Sequence, residues 1–335
     1  MRVRCRQADA VCELTWLAFV DPLLTVRCEP IRVNWWISQF SKGELCAIQR
    51  FFSWGLIMVG SDLVRIRFVI PTLGKNLAWL SQCVESVLSQ DVPVDLLLVA
   101  PRNEALSRRA QEWGVRIVDD PGTGLSDALN RGFGMDGYDV LPSGVEYFAW
   151  LGDDDILAPG SLAQMAEMMD AKPETTLALG RVRYITGDGC SKWVVRSGSW
   201  ACWYSRIGRN FMGQPGSLMR RRAFEAVGGL DGSLKNAMDQ DLFIRLSIQG
   251  PVAYVPIEVA AFRVHDGSIS SRKGGNDERA LVSARYRPKM PFFFDVMVSF
   301  AARIADRVLL SVHPRLPDPP APMRCGSRYY ENSAG

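Results

Sequence analysis

Tyr147-Phe148-Ala149-Trp150-Leu151-Gly152-Asp153-Asp154-Asp155 is the stretch on which the fold turns. Five apolar residues closed by a glycine read as a short strand buried on both faces. Three carboxylates follow at once. Acids placed just beyond a buried strand lie where open α/β sheets bind their ligands. Working back from it, residues 64–70, 94–100 and 115–118 are apolar runs of the same kind, the first ended by Pro71. Between them, residues 76–90 place Leu77, Leu80, Val84, Val87 and Leu88 on one helical face, and a second helix carries Leu106, Ala110 and Trp113. Ser126 is placed to cap a third helix running to about Gly134. Downstream, Pro159 sits at the first turn of a helix with Leu162, Met165, Ala166 and Met169 on its apolar face. Strand and helix alternate, which predicts an α/β protein with a mostly parallel sheet and helices on both faces.

Beyond Ala171 the pattern loosens. Residues 177–185 and 193–195 read as strands joined by the turn at Gly187 and Gly189, and residues 221–227 as a short helix stopped by Gly228 and Gly229. A helix follows over 239–249, then two late strands over 252–255 and 258–264. Residues 288–310 place Phe292, Met297, Phe300 and Ile304 among Asp295, Arg303, Asp306 and Arg307, the pattern of an amphipathic helix lying on a membrane face without crossing it. An ordinary helix packed on the domain fits the same pattern. Residues 313–335, rich in Pro and Gly, are expected to be disordered.

The first 57 residues differ. They hold Cys5, Cys12, Cys28 and Cys46, half of the eight cysteines, with no sustained period of either kind. Two readings stand: an upstream extension from a mis-assigned start, with Met58 opening the chain, or a small accessory region. The expected domain is then 58–287, followed by the helix over 288–312.

Composition narrows the function classes. Of 335 residues, 47% are hydrophobic and 22% charged, which excludes a disordered chain. The 39 basic and 36 acidic residues form no basic stripe, so no nucleic acid partner is expected. No apolar run is long enough to span a bilayer. The cysteines show no C-x-x-C pair, so neither a zinc site nor a disulfide framework is signalled, and a cytoplasmic location is expected, peripheral on the inner membrane face if residues 288–310 bind there.

Three adjacent carboxylates repel and raise one another's pKa unless a cation compensates. A divalent metal (Mn or Mg) bound with a diphosphate would relieve that repulsion; a solvated acidic turn capping the next helix is the plainer alternative. A second acidic site, Asp239-Gln240-Asp241, opens a helix, and His265 lies at a strand exit. Together these suit metal-assisted group transfer, one site holding metal and diphosphate and the other taking a proton from an incoming hydroxyl.

From Val64 to about Ser271 the motifs resemble the family 2 glycosyltransferases. Phe68-Val69-Ile70-Pro71-Thr72 resembles the family's first strand and nucleotide loop, and Asp127-Ala128-Leu129-Asn130-Arg131-Gly132 its Asp-Ala-x-Asn-x-Gly helix. Trp150 to Gly160 is similar to its Trp-Leu-x-x-Asp-Asp segment. Gly228-Gly229-Leu230-Asp231 with Asp239-Gln240-Asp241-Leu242-Phe243-Ile244-Arg245 resembles its acceptor-side block, and Arg263-Val264-His265-Asp266-Gly267-Ser268 its closing Arg-x-His-x-Gly-Ser.

The resemblance implies the nucleotide-diphospho-sugar transferase (GT-A) fold, with a mixed, mostly parallel sheet. It also implies an inverting transfer to a glycan or lipid-linked acceptor, of the bacterial exopolysaccharide or cell-surface type. Carried over, Asp155 and His265 bind the metal and Asp239 is the general base. Pro71, Thr72, Asp127, Asn130, Asp153 and Asp154 contact the nucleotide-diphospho-sugar donor. Two positions depart. The acid expected after the second strand is replaced by Val99-Ala100-Pro101-Arg102, so Arg102 is the expected substitute. Pro121-Gly122-Thr123-Gly124 also lacks its acid, with Asp119 and Asp120 close by.

Rival chemistries fit less well. Asp127 occupies the third glycine position of a dinucleotide fingerprint begun by Gly122 and Gly124, and no phosphate-binding G-x-x-x-x-G-K-[ST] loop occurs. A haloacid-dehalogenase-type phosphatase using Asp153 and Asp155 would want Thr or Val at Leu157. A non-catalytic nucleotide- or glycan-binding relative is the alternative outside enzymes.

Overall fold

The computed structural model describes residues 2–3, 14–15, 64–196, 198–199, 201–207, 212–265, 275–289, 297 and 300. The helix expected over 288–312 and the tail after it lie outside these, apart from Pro288, Lys289, Met297 and Phe300. So does nearly all of the stretch 1–57. The chain divides into two units, Met1–Met58 and Val59–Gly335. In the first, Arg2–Val3 pairs antiparallel with Leu14–Thr15.

The second unit is built on one nine-stranded sheet. Its first half is the alternation read from the sequence: β1 (Ile66–Pro71), α1 (Leu77–Leu88), β2 (Val94–Ala100), α2 (Glu104–Trp113), β3 (Arg116–Asp119), α3 (Leu125–Gly132) and β4 (Tyr147–Trp150). These four strands are parallel, in the order β3-β2-β1-β4. Then come β5 (Ile156–Leu157), α4 (Ser161–Asp170), β6 (Leu177–Ile185), β7 (Ser191–Arg196), α5 (Ala201–Ser205), β8 (Leu218–Arg220), α6 (Arg221–Ala226), α7 (Met238–Gln249), β9 (Val252–Arg263) and α8 (Gly275–Tyr286). Strand β8 enters antiparallel between β4 and β6; β9 runs parallel to β6, β5 pairs antiparallel with β9, and β7 pairs antiparallel with β6. The result is the mixed, mostly parallel sheet that was expected.

Period-two alternation sends neighbouring side chains to opposite cores. Phe68, Ile70 and Leu98 face Leu80, Val84, Leu162 and Met165 on one side. Val69, Leu97 and Phe148 face Leu129, Phe133, Leu242 and Phe243 on the other. Asn76 and Asn103 cap α1 and α2 by accepting the N–H groups of Trp79 and Leu106, both at 3.1 Å. Gly132 lets α3 lie close on the sheet: a β-carbon there would fall 2.6 Å from Val69 Cγ1. At the amino end of β1 the fully buried Arg67 donates to Asp95 and Asp139, both at 2.6 Å, and to Gly132 O at 2.8 Å. Arg116 reaches the same two carboxylates. Breaking one side of such a buried pair typically costs about 3–5 kcal/mol, so this network braces the end of the sheet away from the acids.

Three local expectations are corrected. Ser126 does not cap α3; the N-cap is Gly124, and the buried Ser126 hydroxyl donates to Leu234 O at 3.1 Å. Pro159 precedes the N-cap of α4, which is the left-handed Gly160. The two late strands are one, β9, whose register slips between Tyr254 and Glu258, where Pro256 has no N–H to give the ladder. Short β8 has too few residues to show a period.

Candidate active site

Strand β4 delivers its chain to Leu151, whose N–H donates to Val69 O at 3.2 Å, and the backbone then turns at Gly152. That position has no room for a side chain, because a β-carbon would stand 2.7 Å from Asp154 Oδ1 and 3.2 Å from Asp155 Oδ2. The two carboxylate oxygens therefore crowd the same small space. Asp153 accepts the hydroxyl of Thr72, the residue after β1, and burial pushes its carboxyl up, with the neighbouring Asp154 charge adding to the effect. Asp155 is 2% exposed; its Oδ1 accepts Arg263 N–H at 2.8 Å, while Oδ2 takes no hydrogen bond among the described residues. Burial, then Asp154, lifts its pKa well above the ordinary carboxylate range. Asp154 Oδ2 stands 2.7 Å from His265 Nε2, and the imidazole packs on Trp79 of α1 with ring centroids 4.7 Å apart. His265 is thus brought to Asp154 directly, with Asp155 behind.

Arg263, the last residue of β9, closes the back of this cluster. Its guanidinium donates to Asp154 O (2.8 Å), Gly187 O (2.9 Å) and Gln82 Oε1 (2.8 Å), and lies 5.1 Å over the Trp79 ring. One side chain therefore joins the acid turn, the β6–β7 turn and α1. Burial lowers its own pKa against the pull of Asp155 and Asp154. The sequence reading quoted Arg263 inside a motif without giving it a task. Its position two residues before His265 was the available signal.

The second acidic site opens α7, which packs against the end of β4 through Phe243 and Trp150, ring centroids 5.9 Å apart. Asp241 is fully buried and used up: Arg245 holds it at 2.6 Å, the Tyr286 hydroxyl at 2.8 Å and Arg285 at 3.1 Å. Asp239 differs. It keeps partial solvent contact, accepts the N–H of Gln240 at 2.8 Å, and has no side-chain hydrogen bond among the described residues. The protein packed around its carboxyl pushes the pKa up, opposed by Arg279. Tyr184 near the end of β6 feels both Asp155 and Asp239: burial, then Asp155, raises its pKa, and Asp239 adds to the rise. The two acidic sites therefore face one region at the carboxyl end of the sheet.

The remaining expected donor contacts fall in two places. Pro71 ends β1, and Thr72 N–H donates to Val99 O at 2.9 Å. The exposed Arg102, just beyond β2, pairs with Asp119 at 2.8 Å. Arg102 and Asp119 border a cleft of about 730 Å³ at the ends of β2 and β3, lined also by Ala100, Glu104 and Arg108. On α3, by contrast, Asn130 is engaged at both ends: it accepts from Leu230 N–H and donates to Leu230 O, each at 2.9 Å. Asp127 lies against Gly232, where a β-carbon would come within 2.6 Å of Oδ1. Both α3 residues thus face the turn that leads to α7, and Asn130 is spent on it. The Asn130 amide holds the turn at Leu230 in place.

The profile described as "Glycosyl transferase family 2" matches residues 68–228, the span from β1 to just past α6. Among solved structures, S. aureus TarS 1-349 in complex with UDP-GlcNAc is similar at a TM-score of 0.54 and 12% identity, over 72% of this chain and 72% of that one. The same protein in complex with UDP gives 0.53 and 12%, over 72% and 71%. At that identity the likeness is one of fold. No curated protein matches the chain. The fold is the GT-A fold, and residues 68–228 are similar to the family 2 glycosyl transferases.

Proposed function

We propose that the protein is an inverting glycosyltransferase, moving a sugar from a nucleotide-diphospho-sugar to a hydroxyl of a glycan or lipid-linked acceptor in cell-surface polysaccharide synthesis. The observation that carries this is the pair of unlike acidic sites at one end of the sheet. Asp153, Asp154 and Asp155 crowd together beside His265, while Asp239 stands apart without a side-chain partner. One suits a charged donor and the other a proton.

Donor residues in this reading are Pro71, Thr72, Asp153 and Asp154, with Arg102 at the cleft beyond β2. A cation would find Asp154 and His265 in contact, and the unbonded Asp155 Oδ2 beside Asp154 Oδ1. Among the described residues no three His, Cys, Asp or Glu side chains form a closed cage. An open set suits Mg²⁺ or Mn²⁺, which take one or two carboxylates and complete their shell with diphosphate oxygens and water. Bound there, the ion would supply positive charge to the leaving diphosphate. Asp239 accepts the acceptor hydroxyl's proton as that oxygen bonds to the anomeric carbon, and the nucleoside diphosphate departs from the opposite face. A raised carboxylate pKa makes Asp239 a better base for this step. Arg263 holds the acid turn.

The test is thermal denaturation with UDP, GDP, dTDP and CMP and their sugar conjugates, with and without Mn²⁺. Ligand at 100 times its Kd stabilises the native state by about 2.7 kcal/mol, which is several degrees for a domain of this size. One nucleotide class should stabilise, more strongly with Mn²⁺, and its sugar conjugate should release nucleoside diphosphate when acceptor is present. Stabilisation without turnover would favour the binding relative, and no stabilisation at all would sink both readings. The membrane reading of residues 288–310 has its own check, since no helix among the described residues is long and apolar enough to cross a bilayer. The full chain should float with anionic liposomes, and a chain ending at Tyr286 should not.

A further inference from the structure

Helix α7 begins at Ala237, a residue with no side-chain oxygen, and its N-cap is made by no local side chain. Ala is among the poorest N-caps. The deficit is met from forty residues away. The Glu278 carboxylate, in the first turn of α8, accepts Lys235 N–H at 2.9 Å, Asn236 N–H, and Ala237 N–H at 2.7 Å. Burial alone would raise the Glu278 carboxyl, but these three donors outweigh it and hold its pKa below the ordinary value. Further along, Gln240 Nε2 donates to Ser283 Oγ at 2.9 Å, and Ser283 Oγ donates to Ser205 O at the same distance. Tyr286 and Arg285 then hold Asp241. Helix α8 thus grips α7 at its start, along its first turn and beyond.

Asp239 is the second residue of α7. From the geometry we infer that Glu278 is the positioning residue for Asp239, fixing where the acceptor-side carboxylate stands by capping its helix from α8. The inference rests on the reading of Asp239 as base, and it adds an electrostatic consequence. A helix N-terminus favours a negative charge and so depresses a carboxylate placed there. A second negative charge at the same terminus offsets that effect. The charged and titratable groups facing Asp239 among the described residues are Arg279 and Glu278 of α8 and Tyr184 of β6. Arg279 favours the ionised form, whereas Glu278 opposes it and keeps Asp239 the stronger base.

The experiment compares the full chain with its Glu278→Gln and Glu278→Ala variants. Gln keeps an acceptor oxygen for the backbone and removes the charge. Carbon-13 NMR titration of the aspartate carboxyls, with Asp239 identified by the signal lost in Asp239→Asn, should show the Asp239 midpoint moving to lower pH in Glu278→Gln. Turnover of the sugar nucleotide that stabilises the protein should fall by roughly ten- to a hundredfold in Glu278→Ala with donor KM unchanged, because a base misplaced by about 1 Å loses that much. Glu278→Gln should recover part of the rate and reach its plateau at lower pH. An unmoved Asp239 midpoint in the folded Gln variant overturns the inference, as does a loss in Glu278→Ala that appears only in donor KM. A moved midpoint together with wild-type transfer by Asp239→Asn would instead remove Asp239 as base, separating the two failures.

Discussion

Asp239→Asn is expected to bind donor as the wild type does and to transfer sugar at least about 10²-fold more slowly, the usual scale for loss of a general base. The substitution is nearly isosteric and leaves the helix start alone, because the Gln240 N–H bond to Oδ1 survives in the amide. No cation pairs with Asp239 by hydrogen bond, so no buried charge is left uncompensated. Asp241→Asn should behave in the opposite way. Its fully buried carboxylate holds the partly buried Arg245 at 2.6 Å and the more exposed Arg285 at 3.1 Å, and neutralising it removes the counter-charge of both. The expected cost is about 3–5 kcal/mol of stability, read by urea denaturation, before any effect on the chemical step. Rate and melting curves on the two variants separate the roles. Near-normal transfer by the Asp239 variant with a dead but folded Asp241 variant would move the base to Asp241. Activity in both would end the catalytic reading of this helix.

That contrast shows how far the chain could be read before its fold was known. Both carboxylates open the same apolar helix, and only the family resemblance singled out Asp239. What the sequence could not supply is the reason, since Tyr286 and Arg285 reach Asp241 from more than forty residues away. The parallel half of the sheet was legible because β1, β2 and β4 are short, mostly apolar runs, broken only by Arg67 and Asp95, and bounded by Pro71, Pro101 and Gly152. The antiparallel half was less so. Leu218–Arg220 is too short to carry a period, and Pro256 made one bulged strand look like two.

Site residues followed the same rule. Those delivered by strand ends, Thr72, Asp153, Asp154, Asp155 and His265, meet as a cluster because parallel strands release their chains on the same edge. Asn130 shows the limit of such a reading: an amide on a helix near the site can serve a ligand or a backbone, and here its two ends meet Leu230. Arg263 and Glu278 were not assigned roles because each acts on backbone atoms remote in sequence. Nothing in Gly187 or Ala237 announces that a distant side chain will complete it.

Asp155→Asn should separate stability from function most clearly. A buried carboxyl whose folded pKa lies above its unfolded value adds stability below the unfolded pKa and loses it as pH rises through the folded one. For Asp155 the rise comes from burial and from Asp154, so at neutral pH its ionisation works against the metal-free fold. The amide keeps the oxygen that accepts Arg263 N–H, and the Arg263 guanidinium still reaches Asp154 O, Gly187 O and Gln82. Metal-free Asp155→Asn should therefore melt at or above the wild type at pH 7, by about 0.5–2 kcal/mol, with the advantage shrinking as pH falls toward the ordinary carboxylate range. In the presence of nucleotide the order should reverse. The negative charge that burdens the empty site is the one a divalent cation would need, so the Mn²⁺-dependent part of nucleotide stabilisation should disappear in the variant. Melting curves at pH 7 and near pH 4.5, with and without nucleotide and Mn²⁺, test both halves. A full Mn²⁺ increment in the variant would take Asp155 out of the metal site, and a marked loss of metal-free stability at pH 7 would make it a structural anchor for Arg263. A carboxylate that costs the fold stability and returns it only with ligand is held there for the ligand.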